Sequence, residues 1–162
     1  MTNSPLPGML QLLCRLPLRL PLRRLITYSV HPSIPDASGK EMSVALTPAA
    51  FRRLVDLARD GLPPLRVAVD SGGCRGLTYT FALCDPDSRD AITPEDIIIT
   101  AAADDDTGAS DRVRVVVDPE SMEYVAGATV DWVDSFTKRA FTVKENPRAQ
   151  SGCGCGVSFD VK

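Results

Sequence analysis

Three cysteines in this chain sit among glycines. Cys74 lies in Ser71-Gly72-Gly73-Cys74-Arg75-Gly76, and Cys153 and Cys155 lie in Ser151-Gly152-Cys153-Gly154-Cys155-Gly156. Glycine lets the backbone close tightly around a bulky ion or cluster, and exposed amide N–H groups hydrogen-bond to sulfur and stabilise negative charge there. Two residues apart in extended backbone, the sulfurs of Cys153 and Cys155 project to one side. Cys74 is 79 residues upstream of Cys153, so only the tertiary fold can bring it to the pair. Together they would offer three thiolates and no imidazole, since the one histidine, His31, is far upstream. Thiolate-only ligation suits iron–sulfur clusters, zinc or Cu(I) and disfavours magnesium and calcium. Three ligands are one short of the four that a closed zinc site or a complete cluster takes; a second subunit or a client can finish such an open set. On spacing alone, metal or cluster binding and thiol redox chemistry at Cys153 and Cys155 both stay open, with a structural zinc module as a third reading. The absence of a CxxC at a helix start counts against the redox enzyme. Cys84 ends an apolar run without glycine and reads as a packed residue.

The elements that must position these sulfurs follow from periodicity. Thr47-Pro48 opens a helix as N-cap and first-turn proline, with Phe51, Leu54, Val55 and Ala58 at helical spacing. Gly61 and Pro63-Pro64 end it. From Leu65 the period becomes two: Leu65, Val67 and Val69 alternate with Arg66, Ala68 and Asp70. Beyond the Gly72-Gly73 break, Leu77, Tyr79, Phe81 and Leu83 alternate with Thr78, Thr80 and Ala82. Two such runs around a glycine-rich turn predict adjacent antiparallel strands with Cys74 in the turn between them. Further strands are expected at 96–100, 112–117, 129–133 and 140–144, and Asp118-Pro119-Glu120 starts a second helix that Gly127 ends. Asp104-Asp105-Asp106-Thr107-Gly108 lacks the spaced ligands of a calcium loop and reads as solvated. From Asn146 the tail is turn-like and glycine-rich. The sum is a single α+β domain dominated by strands.

The first 35 residues differ in kind. They hold Arg15, Arg19, Arg23 and Arg24 and no acid, whereas the remaining chain carries a net charge of -7. Arg15, Arg19 and Arg23 fall four apart, and Leu12, Leu16 and Leu20 do likewise, so a helix would have a cationic and an apolar face, though Pro17 and Pro21 interrupt it. An arginine-rich, acid-free leader is what organellar import requires. Residues 1–35 are therefore expected to be a mitochondrial or plastid targeting leader processed near Arg24–Ser29, and residues 42–162 the working domain. With 162 residues, 44% hydrophobic and 24% charged, neither disorder nor a fibrous repeat fits. No apolar stretch is long enough to cross a bilayer. A formal charge of -3 and a pI near 5.1, with aromatics not interleaved among basic residues, argue against nucleic acid as partner.

Four stretches in order, Gly72-Gly73-Cys74-Arg75-Gly76-Leu77-Thr78-Tyr79, Val116-Val117-Asp118-Pro119-Glu120-Ser121, Gly127-Ala128-Thr129-Val130-Asp131-Trp132, and Asn146-Pro147-Arg148-Ala149-Gln150 with Cys153-Gly154-Cys155-Gly156-Val157-Ser158-Phe159, resemble the A-type iron–sulfur carrier family (HesB/IscA-like). The resemblance spans 47–159. It implies a compact β-rich α+β domain with two helices and a mobile C-terminal cysteine tail. It implies that Cys74, Cys153 and Cys155 hold iron or an iron–sulfur cluster, [2Fe–2S] or [4Fe–4S], and that the protein is a carrier rather than an enzyme. The partners implied are a second copy or a sister A-type carrier, a folate-binding-type assembly protein, an upstream glutaredoxin or scaffold, and apoprotein clients that receive [4Fe–4S] clusters. With the leader, the chain is similar to mitochondrial members of the late-acting branch, placing it in the matrix. A mononuclear iron donor would use the same thiolates.

Overall fold

The computed structural model describes residues 26–72, 76–104, 110–152 and 158–161. Thr47 caps α1 (Pro48–Arg59) by accepting a hydrogen bond from the Ala50 N–H, and Asp118 caps α2 (Pro119–Val125) by accepting from the Ser121 N–H. Both helices carry proline in the first turn, where its missing donor costs nothing.

The strands are β1 (Thr27–His31), β2 (Ala45–Leu46), β3 (Leu65–Ser71), β4 (Leu77–Leu83), β5 (Ile97–Asp104), β6 (Ser110–Val117), β7 (Thr129–Asp134), β8 (Arg139–Glu145), β9 (Ala149–Gly152) and β10 (Ser158–Val161). Seven form one sheet in the order β1-β5-β6-β3-β4-β10-β9, and β2-β7-β8 form a second. The expected hairpin is present, with β3 and β4 antiparallel from Leu65 opposite Leu83 to Ser71 opposite Leu77. Between the sheets and helices lies one core. Leu65, Val67, Ile97, Ile99, Val113, Val115 and Val117 enter it from the large sheet, Phe51, Leu54 and Val55 from α1, and Met122 and Val125 from α2. Period-two alternation is what puts each strand's apolar set on that side.

The reverse face of the sheet centre is also covered. Arg66, which alternates with the core residues Leu65 and Val67, is only 7% exposed, because the β4–β5 connection folds over it. Its guanidinium donates to both carboxylate oxygens of Asp96, at 3.0 and 2.6 Å, and to the Ala91 carbonyl at 2.9 Å. The Thr93 N–H donates to the same Asp96 carboxylate at 2.7 Å. A buried pair held this way has its desolvation offset by a full set of charge-assisted hydrogen bonds.

Two parts of the chain are more ordered than periodicity suggests. The stretch after Asn146, expected to be turn-like, forms β9 and β10 on either side of 153–157. Thr27–His31, inside the stretch read as leader, pairs with β5 through five register positions. The Tyr28 hydroxyl accepts from the Leu46 N–H at 3.0 Å and donates to the Leu46 carbonyl at 3.2 Å, joining this strand to β2. Most of the acidic loop, at 105–109, lies outside the described residues. Among the described residues no helix is long and apolar enough to cross a membrane.

Candidate functional site

Cys74, Cys153 and Cys155 themselves lie outside the described residues, as does Cys14. The residues that flank them are described, and their positions are set by one patch of the large sheet. At the end of β3 the Gly72 N–H donates to the Gly76 carbonyl at 2.9 Å, across the sequence interval that holds Cys74. Gly76 has φ +77°, a conformation that disfavours side chains. Its α-carbon also faces the Phe159 carbonyl so closely that a β-carbon would collide with it. Gly72 is confined too: a β-carbon there would lie 2.6 Å from the Thr78 hydroxyl.

On the neighbouring strand, Phe159 pairs with Leu77 on one side and with Gly152 on the other. Gly152 precedes Cys153, and Ser158, three residues after Cys155, pairs with Thr78. The last described residues before and after each cysteine segment therefore sit on adjoining strands. Neighbouring strands are about 4.8 Å apart, so Leu77 and Gly152, two strands apart, are separated by about 10 Å. The fold brings the described flanks of both glycine–cysteine segments, remote in sequence, to one stretch of sheet.

Two anchors hold the terminal segment there. Phe159 is 3% exposed and stacks on Tyr79 of β4, with ring centroids 4.2 Å apart and planes 12° from parallel. Asn146, at the head of the tail, donates to the Tyr79 hydroxyl at 2.7 Å and to the Tyr124 carbonyl at 2.8 Å, while its own side-chain oxygen accepts from the Arg148 N–H. Burial raises the Tyr79 phenol above its ordinary value, an effect the Asn146 bond only partly opposes. Tyr79 is thus a neutral hub gripping both ends of the segment that carries Cys153 and Cys155. Periodicity placed Tyr79 on a strand but could not pair it with Asn146, 67 residues away.

Cys84 is a different kind of cysteine. It is 4% exposed, and burial pushes its thiol up, so it stays protonated at neutral pH. Its N–H donates to the Pro64 carbonyl, at the far end of the β3–β4 hairpin from the Gly72–Gly76 turn. The seven residues of β4 separate those ends, a span of about 20 Å. Among the described residues no group of three His, Cys, Asp or Glu side chains is placed to hold a metal. Soft sulfurs in glycine settings, as the sequence offers at Cys74, Cys153 and Cys155, are a donor chemistry that fits an iron–sulfur cargo.

Residues 42–157 match the family described as iron-sulphur cluster biosynthesis. The chain is 37% identical over 140 residues to the mitochondrial iron-sulfur cluster assembly 2 homolog of Mus musculus, covering 86% of this chain and 80% of that one. It is 35% identical over 140 residues to the iron-sulfur cluster insertion protein ErpA of Xylella fastidiosa, covering 85% and 98%. Among solved structures it is similar to IscA with the [2Fe-2S] cluster, with a TM-score of 0.54 and 28% identity over 74% of this chain and 99% of that one.

Proposed function

The chain belongs to the iron-sulphur cluster biosynthesis family of HesB/IscA type, and from that premise we propose that it is a carrier whose cargo is held by Cys74, Cys153 and Cys155. It is an iron–sulfur cluster assembly or insertion protein. The carrier reading adds that it works without catalytic turnover, receiving a cluster from an upstream glutaredoxin or scaffold and passing it, as [4Fe–4S], to apoprotein clients. The observation that supports this reading is the Leu77–Phe159–Gly152 register, in which residues flanking the two cysteine-bearing segments lie on adjoining strands.

Three thiolates leave a cluster short of ligands, so a second copy or a sister A-type carrier completes the set, with a folate-binding-type protein assisting the late step. An incomplete set also suits release, because a client's own thiolates can replace the carrier's one at a time. The tail is held at Asn146 and Phe159, and its cysteines lie between those two anchors. Similarity to the mitochondrial relatives, together with the arginine-rich first 35 residues, supports import into the matrix.

Anaerobic reconstitution with iron and sulfide, followed by iron and acid-labile sulfide determination and the mass of the same sample, tests the proposal. Equimolar iron and sulfide with a visible chromophore is the expected result. Iron without sulfide would identify a mononuclear iron donor. Disulfide turnover by metal-free protein would identify a redox enzyme, and stoichiometric zinc without colour a structural module.

A further inference from the structure

At the opposite end of the β3–β4 hairpin from the cysteine turn, α1 and the β7–β8 ribbon enclose a groove. One part, of about 550 Å3, is lined by Arg52, Arg53, Trp132, Asp134 and Arg139; a second, of about 410 Å3, shares Arg53, Trp132 and Arg139 and continues to Phe81 and Phe141. The guanidinium of Arg53 lies 5.1 Å from the centre of the Trp132 ring, and Trp132 packs at 4.8 Å on Phe141. The Arg53 Nε is buried without a hydrogen-bond partner, an unmet donor of the kind that costs stability unless something accepts from it. Arg52 is exposed and makes no ion pair among the described residues, whereas Asp134 already pairs with Arg139 at 2.8 Å. In the β7–β8 turn, two residues beyond Asp134 of the groove lining, Phe136 is fully exposed.

We propose that this groove is the docking site for an acidic, aromatic- or leucine-bearing segment of a partner protein, whose carboxylates engage Arg52 and Arg53 while its apolar side chain lies along Trp132, Phe141 and Phe136. Charge complementarity selects that occupant. Beyond residue 35 the chain is net -7, yet this groove sets three guanidiniums against the carboxylates of Asp56 and Asp134. Arginine and tryptophan, one stacked on the other in a concave site, are the residue types that dominate protein interfaces. A bilayer is a poorer fit, because a flat headgroup surface does not enter a groove and an acidic protein is repelled by anionic lipid. Docking here leaves the cysteine end, about 20 Å away along the hairpin, open for transfer. The site is independent of the cluster assignment, since it needs no metal.

Trp132 is the chain's only tryptophan, so its fluorescence reports on the groove directly. The full chain is titrated with a panel of short tryptophan-free peptides, each with one phenylalanine or leucine among glutamates at differing spacing, and with matched peptides in which glutamine replaces glutamate. Saturable change in Trp132 emission by acidic but not neutral peptides, weakening as salt rises, is the expected result. Arg52→Glu, at an exposed position that does not endanger folding, should weaken binding about tenfold or more. Arg53→Lys, which keeps the charge and loses the planar guanidinium over Trp132, should also weaken it. The proposal is overturned if no acidic peptide saturates the signal, if neutral peptides bind equally, if Arg52→Glu binds as wild type, or if phosphatidylserine vesicles perturb Trp132 and the peptides do not.

Discussion

The α-carbon of Gly76 rests against the Phe159 carbonyl with no room for a side chain between them. One contact thereby joins the turn that carries Cys74 to the strand that follows Cys155. Because Gly76 also has φ +77°, Gly76→Ala has two faults, a strained backbone and a collision. It should destabilise the protein by about 2 kcal/mol or more. If the contact sets the sulfurs' relative placement, hydrogen exchange at 158–161 should rise and cluster retention should fall with it. Unchanged exchange in that strand would separate Gly76 from the terminal segment.

The Tyr79 hub divides into two separable contributions. Tyr79→Phe keeps the stack on Phe159 and loses only the bond from Asn146, so about 1 kcal/mol should be lost. Asn146→Ala leaves the Tyr79 hydroxyl and the Tyr124 carbonyl without their donor and should cost more, about 2–3 kcal/mol. Phe159→Ala removes a buried ring and should cost about 3–5 kcal/mol. Chemical denaturation of metal-free protein checks that order. If all three equal wild type, the terminal segment is not anchored as described.

The cysteines should sort by environment. Cys74→Ser, Cys153→Ser and Cys155→Ser should each lose most of the reconstituted chromophore, because each would remove one of the three thiolates proposed to hold the cargo. Cys84→Ser should retain it, since that thiol is buried, protonated and about 20 Å from the turn. Its effect should be a modest loss of stability from a small polar group placed in a packed site. A colourless Cys84→Ser protein with normal folding would bring that residue into the site after all.

What was legible in the sequence is what one strand or one helix decides by itself. Leu65, Val67 and Val69 alternate because one face of β3 meets the core, and Thr47 and Asp118 announce helix starts by chemistry confined to a single turn. The two glycine–cysteine segments were visible for the same reason. The strand β10 was not, since four residues with one core side chain, Phe159, give no period. The burial of Arg66 was not legible because alternation gives a face and not what covers it; the 85–96 connection buries that face. The adjacency of the residues flanking the cysteine segments rests on β4–β10 pairing between residues some 80 apart, which no local pattern encodes.

The Arg66–Asp96 pair predicts how the fold responds to acid. Burial by itself would raise the Asp96 carboxyl, but the bonds from Arg66 and from the Thr93 N–H outweigh it and hold the group below the usual carboxylate range. Arg66 in turn is raised, chiefly by its bond to Asp96. With the folded value below the unfolded one, near 3.9, the stabilisation is complete above that unfolded value and is lost as pH falls through the folded value. Stability should therefore be level from neutral pH to about pH 5 as far as this group is concerned, and decline below. Asp96→Asn should lower stability at pH 7 by about 3 kcal/mol, because Arg66 is left buried without a counter-charge, and should flatten the acid limb. Cluster binding follows other groups, since the thiolates must be deprotonated to bind. Its loss on acidification should consequently be unchanged in position in Asp96→Asn protein that remains folded, as visible absorption and far-ultraviolet circular dichroism on one sample would show. A cluster that left only as the fold was lost would tie cargo release to unfolding and not to sulfur protonation.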